Sequence, residues 1–383
     1  MMTDIKYKMD LEYLYHALQK HPLLITDEHQ KECFEQLYFS KKCEKYDYNS
    51  FIDAATELTA FFHDGHTNIE IPYTSESRCL RLLCCWNEKN ANELLLAKRY
   101  DDIPEDSRIV EIAGMTINNV INIISRRIPH ENIFLVKSRM IKYPYINYHI
   151  FSEMNLRLLF GKKDKYTLSF FLNDKIIKKE IPLSFYDGFL DFSSDEDFLS
   201  YEIWDKAVIM HLDSCICNEK YKETLKKLAY ICKEKQIASF ILDLSRNMGG
   251  NSAVIDEFIS FTDTEYFRRY EMIDFSSGKA EYITRRQDLI KNQKKDVLLP
   301  KQIYCKISHH TFSSARTFAV TLKDNGIAQI IGYETGGKPN SYGMPQKMKL
   351  PESNIRFRVS RCCFLRPNAD MDAAITLAPD LIL

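Results

Sequence analysis

Glycine is scarce in this chain, 12 of 383 residues, about 3% where roughly 7% is usual. Proline is no commoner, also 12. Collagenous and low-complexity chains are thereby excluded, and any cluster of glycines marks a place where backbone geometry matters. There is no excess of one charge either: Lys and Arg total 52 against 53 for Asp and Glu, a formal net charge of -1. No global basic field draws the molecule to nucleic acid or anionic lipid.

Long apolar runs are missing too. Nothing approaches the roughly 18 residues that cross a bilayer, and the opening MMTDIKYKMDLEYLYHALQKHP carries charges at Asp4, Lys6, Lys8 and Asp10 in place of a signal-peptide core. The expectation is a cytoplasmic protein without a membrane partner. The 11 cysteines form no C-x-x-C, which fits free thiols in a reducing compartment rather than a disulfide scaffold. Cys215 and Cys217 lack the second pair that a structural zinc site needs.

What is present is an ordinary globular composition, 45% apolar and 27% charged, over a length that suggests two or three domains. From Asp10 to Phe62 the pattern is helical. The segment FIDAATELTAFFHDGH aligns Phe51, Ala54, Ala55, Leu58, Phe61 and Phe62 on one face, and Asp64-Gly65 stops it, with Gly65 suited to a left-handed cap. HTNIEIPY then alternates as a half-buried strand, leaving His66 at a helix-to-strand corner. Residues 73 to about 190 read as short strands (93–97, 108–112, 166–172) with helical material at 118–124 and 146–159.

From Tyr201 the order becomes strand, helix, strand, helix, the signature of a layered α/β domain. Strands are predicted at 207–212, 238–244, 302–307 and 328–331, and helices at 221–235, 253–261 and 314–322. Further strands are expected at 356–365 and 376–383. ASFILDL is nearly continuously apolar, as a strand buried on both faces requires.

Two glycine pairs, Gly249-Gly250 and Gly336-Gly337, fall directly after buried strands, where α/β domains place ligand and catalytic groups. GYETGGK fits G-x-x-x-x-G-K, but Pro339 supplies neither the Mg²⁺-binding hydroxyl nor an N–H, and no phosphate-binding helix can start in NSYGMP. Ser313 and Ser314 open a helix. A serine there is ordinarily a cap, yet its oxygen also lies at the positive helix end, where backbone N–H groups can meet an oxyanion. No G-x-S-x-G is present, which sets aside the α/β-hydrolase elbow. His66 competes with His63, His309 and His310 as a base, and HDGH is too tightly spaced across its glycine stop for a metal pair. Lys338, in a glycine loop, is either a solvated charge or a desolvated general base.

Together these segments resemble the tail-specific, or C-terminal-processing, serine peptidases, a family that includes the tricorn core protease and the chlamydial secreted protease. DGHT (64–67) resembles the motif of the catalytic histidine, which maps to His66. ILDLSRNMGGNS resembles the D-L-R-x-N-x-G-G turn, whose last glycine, Gly250 here, supplies an oxyanion N–H. TFSSARTFAVTLKDNG and IIGYETGGK resemble the nucleophile helix and the strand and loop after it, with the nucleophile at Ser313 and the second oxyanion N–H at Ser314. Lys338 follows Ser313 by 25 residues, the spacing of the family's serine-lysine dyads. IPEDSRIVEIAGMTINNV resembles the PDZ-like module that binds substrate tails. Three departures stand out. Ser245 replaces the arginine of D-L-R, Arg316 replaces the glutamate after the nucleophile, and the terminal acidic motif is degenerate, leaving Asp372 as the candidate that orients the histidine.

The resemblance implies an α/β multi-domain fold: an N-terminal helical domain (1–72), a PDZ-like substrate-binding domain (73–190) and a ClpP/crotonase-like catalytic core (191–383). It implies a serine endopeptidase in which Ser313 attacks a peptide carbonyl, His66 or Lys338 moves the proton, and the N–H groups of Gly250 and Ser314 hold the oxyanion. The substrate is protein or peptide. No metal or cofactor is required, and a lid or a homo-oligomer would shield the site. The competing reading is a decayed relative that captures peptide tails without cleaving them.

Overall fold

The computed structural model describes residues 3–42, 45–87, 92–142, 145–188 and 198–383. Cys43 and the predicted 190/191 boundary lie outside the described residues. The chain forms two compact units: Met1–Phe192 with Pro345–Ser360, and Ser193–Met344 with Arg361–Leu383.

The first unit opens with helices Asp4–Leu18, Pro22–Thr26, Glu28–Lys41 and Tyr48–Ala60. The last has an Asp47/Ser50 capping box and packs the broad apolar face read from its sequence. These helices cover a three-stranded sheet of Asn68–Glu70, Arg356–Val359 and Gln346–Lys349, antiparallel throughout. Phe357 and Val359 thereby share a core with Leu14, Phe34 and Phe51. The sequence suggests a half-buried strand at 68–70, but all three residues are buried, because Glu70 is neutralised by an ion pair with Arg358.

A second core in this unit lies on a larger sheet. Its order is Arg78–Leu80, Lys175–Phe185, Lys165–Leu172, Arg108–Ile112, Leu94–Leu96 and Cys84–Trp86, with Met115–Thr116 paired to Arg108–Ile112. Helices Ile117–Ile124, Ile133–Lys142 and Glu153–Phe160 accompany it.

The other unit is built on a five-stranded sheet ordered Gln329–Gly332, Gln302–Ile307, Ser239–Asp243, Ala207–Leu212 and Leu199–Ile203. The first four strands are parallel and the last is antiparallel. Helices Glu219–Glu234, Ala253–Ser260 and Ser314–Asp324 link the parallel strands, as side-by-side parallel strands require. A four-stranded antiparallel sheet, Glu281–Thr284, Glu271–Asp274, Cys362–Leu365 and Ser341–Gly343, completes the unit. The expected strand at 376–383 is instead irregular, touching the sheet through one bridge between Ile331 and Leu381. The tail is held by scattered bonds in place of a regular ladder: the Asp380 carboxylate and amide both bond Ile330, the Leu381 carbonyl accepts from the Gly332 N–H, and the Leu377 N–H donates to the Thr335 hydroxyl.

Among the described residues no helix is long and apolar enough to cross a membrane. The ten described cysteines are free thiols. In Cys215, burial pushes the thiol up to about 12, so it packs as a neutral side chain whose S–H donates to the Asn247 amide oxygen.

Candidate active site

In the second unit, two adjacent strand ends carry the nucleophile candidate and the glycine turn. After Gln302–Ile307 the chain turns through Ser308–Phe312 and enters the helix at Ser314. Ser313 takes φ 53° and ψ -128° and makes no side-chain capping bond. A left-handed φ costs a non-glycine residue roughly 1–3 kcal/mol and persists where the surroundings over-determine it. Here they do. The Thr311 hydroxyl donates to the Leu244 carbonyl at 2.8 Å and accepts from the Ser308 N–H at 3.0 Å, while the Phe312 N–H donates to the Asn247 carbonyl at 3.1 Å. The corner is stitched to the neighbouring strand end on both sides.

The glycine pair fits against it. A Cβ on Gly249, at φ 111°, would stand 2.6 Å from Ser313 Cβ and 3.1 Å from its Oγ. A Cβ on Gly250, at φ 138°, would stand 2.4 Å from the Cys215 carbonyl oxygen. The Gly249 carbonyl accepts from the Cys215 N–H at 2.9 Å. Since the peptide is trans, the Gly250 N–H on its other side points away from Cys215. Ser314 fixes the next peptide: its hydroxyl donates to the Gly250 carbonyl at 2.8 Å and lies 2.9 Å from Ser252 Oγ. Among the described residues neither the Gly250 nor the Ser314 amide donates a hydrogen bond. Both remain available to an anionic oxygen, and Ser314 N–H is in addition a first-turn helix amide.

Asn247 organises this turn, a role the sequence offered only as one letter of the glycine motif. Fully buried, it donates to the Leu212 carbonyl at 2.7 Å and accepts from the Gly249 N–H at 2.8 Å.

Lys338 is half-buried, and its carbonyl accepts from the buried guanidinium of Arg316, which also donates to Ser341 Oγ at 2.8 Å. Arg316 thus secures the Gly336–Pro339 loop, as does Tyr270 through the Pro339 carbonyl at 3.1 Å. Beyond this loop the chain forms the strand Ser341–Gly343 rather than a phosphate-binding helix. The exposed Asp372 carboxylate takes two 2.8 Å bonds from Arg286 and one of 2.9 Å from Asn340. Burial opposes its ionisation, but Asn340 and Arg286 hold the carboxyl below its usual range.

In the first unit, the corner after Tyr48–Ala60 carries His66. The left-handed residue is His63, at φ 46°, and not Gly65: the helix ends four residues before Asp64, and the His63 N–H closes it on the Ala60 carbonyl. His63 is exposed and meets the His130 ring edge-on at 5.6 Å. His309, buried, and His310 lie in the other unit with ring centroids 4.1 Å apart.

Asp64 is fully buried and anchors the corner. Oδ1 accepts the His66 N–H at 2.9 Å and lies 3.5 Å from His66 Nδ1. Oδ2 accepts from the Thr67 and Ser360 hydroxyls at 2.7 and 2.6 Å and from His21 at 3.2 Å. His21 Nδ1 accepts the Leu23 N–H, so the ring proton sits on Nε2 and points at Asp64. Burial lowers the His21 pKa, with Asp64 only partly opposing, and the ring stays neutral. Burial by itself would raise the Asp64 carboxyl, but the bonds from His21 and His66 outweigh it and hold the group well below the usual carboxylate range. His21 and Ser360 escaped sequence reading, since nothing local ties them to Asp64.

Glu131 completes this corner. Its carboxylate accepts the Gly65 N–H at 3.3 Å, and one ligand atom from each of Asp64, His66 and Glu131 falls within 4.8 Å of the others. The Arg139 guanidinium donates to the Gly65 and Pro129 carbonyls, tying the Glu131 loop to the histidine corner.

Known structures share this architecture. Mature CPAF, solved with lactacystin, is 13% identical over 99% of this chain and 94% of its own, with a TM-score of 0.72. The photosystem II D1 C-terminal processing protease is 12% identical over 99% and 93%, with a TM-score of 0.51. A putative peptidase from Parabacteroides merdae is 11% identical over 100% and 90%, with a TM-score of 0.50. At such identities the likeness is one of fold. The sequence itself matches the family model of peptidase family S41 over residues 206–381, the stretch that holds Gly250, Ser313, Ser314 and Lys338.

Proposed function

We propose that this protein is a serine endopeptidase acting on unstructured carboxyl-terminal tails. The observation that carries the reading is Ser313: a residue at a helix amino terminus, held at positive φ, whose side chain does not cap the helix and whose neighbour Gly249 has no room for a methyl group. An ordinary cap serine needs none of this.

In the reaction, Ser313 Oγ attacks the scissile carbonyl and His66 takes its proton. The carbonyl oxygen becomes anionic between the N–H groups of Gly250 and Ser314, His66 returns the proton to the departing amine, and water then releases the acyl group by the same route. Asp64 serves as the carboxylate that orients His66. It stands at Nδ1, whereas Asp372 is engaged by Arg286 and Asn340. Lys338 acts through its backbone, which Arg316 grips. Residues 207–332 form the ClpP/crotonase-like core of this reading, and the sheet and helices of residues 78–185 form the PDZ-like module that receives the tail.

A fluorophosphonate probe tests the proposal. The expected result is covalent labelling of the native chain that disappears in Ser313→Ala. Labelling that survives that substitution, or none in the native chain, would overturn it and leave a peptide-binding role.

A further inference from the structure

We infer that Asp64, His66 and Glu131 form a binding site for a transition-metal dication of the Zn²⁺ class, and that its occupancy switches His66 off. Metal binding stands on the geometry alone; the switching rests on the reading of His66 as general base.

The three side chains bring one imidazole and two carboxylates within 4.8 Å of one another. Tetrahedral zinc with nitrogen and oxygen ligands at about 2.0–2.2 Å sets those ligands roughly 3.4 Å apart, so small side-chain rotations close the set. The surroundings are those of a built site. Asp64 is fully buried, yet its partners among the described residues are hydroxyls, imidazoles and an amide, with no Lys or Arg ion pair among them. Three of those donors, from His21, Thr67 and Ser360, converge on Oδ2 and turn Oδ1 toward His66. Bonding one carboxylate oxygen so that the other faces the metal is the work of outer-shell groups at metal centres. Glu131 accepts the Gly65 N–H, and the Arg139 guanidinium donates to the Gly65 and Pro129 carbonyls that frame the loop. Asp64, a buried anion that pairs with no Lys or Arg among the described residues and lies beside a second carboxylate, is a place where a dication lowers the energy. The imidazole selects for zinc-like ions over Mg²⁺ and Ca²⁺, which take oxygen ligands.

The consequence for His66 is a matter of tautomer. With Asp64 at Nδ1, the imidazole carries its proton on Nδ1 and offers the Nε2 lone pair as base. A metal on Nδ1 needs that nitrogen's lone pair, so the proton transfers to Nε2. The ring then has no lone pair for the serine proton, and catalysis stops without any change in fold.

Equilibrium dialysis of the full chain against Zn²⁺, with the Co²⁺ spectrum as a second readout, tests the site. The expected result is one equivalent held without the sulfur-to-metal charge-transfer band that cysteine binding would give. Glu131→Gln, similar in size and checked for folding by its circular dichroism melt, weakens that equivalent by at least about 100-fold, and Mg²⁺ and Ca²⁺ do not compete. Equal Zn²⁺ stoichiometry and affinity in wild type and Glu131→Gln overturns the proposal. Should that variant unfold, His66→Ala decides by the same readout. Fluorophosphonate labelling separates the two readings. Zn²⁺ suppressing labelling in wild type, reversed by EDTA, supports the switch. Labelling absent even with EDTA sinks the peptidase reading and leaves the dialysis result standing.

Discussion

A methyl group on Gly249 would lie 2.6 Å from Ser313 Cβ, closer than real Cβ atoms come. The two residues sit 64 positions apart in sequence, yet each has a positive φ and each leaves the other no slack. Gly249→Ala therefore has to move Ser313 or the turn. We expect loss of about 1–3 kcal/mol of stability and at least a 100-fold drop in probe labelling, read by denaturant titration and labelling rate. Wild-type labelling in this variant would remove the case for a tightly set nucleophile.

Asn247→Ala should cost about 2–4 kcal/mol, because it strands the Leu212 carbonyl and the Gly249 N–H in a buried turn. Labelling should fall as well, although Asn247 is a positioning residue of the proposed oxyanion site. Asn247→Asp keeps an acceptor for Gly249 but not the donor to Leu212, and should recover part of the labelling.

The choice of base is a kinetic prediction. His66→Ala should slow labelling by about 10²–10⁴-fold, whereas Lys338→Met should leave it essentially unchanged, since only the Lys338 carbonyl is engaged by Arg316. The opposite ranking would assign the reaction to a serine-lysine dyad.

Acid should destabilise the protein in two steps. His21 and His149 have folded pKa values below the ordinary 6.5, His149 down to about 3, both through burial. As pH falls below 6.5 the unfolded chain gains protons that these rings refuse, so stability declines there. Asp64 has a depressed folded pKa, so its contribution is present above the ordinary value of 3.8 and is lost as pH falls below it toward the folded value. His21→Gln should flatten the first step and Asp64→Asn the second, measured as unfolding free energy against pH. Identical profiles for both variants and wild type would contradict the assignment.

Much of the parallel sheet was legible because its strands are short apolar runs ended by turn residues: 207–212 and 302–307 fall where the pattern put them. The Ser313 corner and the glycine turn were legible for the same reason, since each is a local motif at a strand end. The histidine corner was half legible. DGHT marked Asp64 and His66, but His21, Glu131 and Ser360 reach it from 43, 67 and 296 residues away from Asp64, and no local periodicity encodes such meetings. The strand Gln346–Lys349 escaped for a related reason: its alternation is polar, and its partner strand lies beyond an intervening turn.

The excursion of residues 345–360 into the first unit has a consequence for biosynthesis. Ribosomes make the chain from its amino terminus, so the helices of residues 4–60 emerge early but lack Phe357, Val359 and the Ser360 hydroxyl until nearly the whole polypeptide has been translated. A nascent chain, or one truncated before residue 360, carries DGHT without the donor that completes it. The order of synthesis thus delays a finished histidine corner until the rest of the molecule exists.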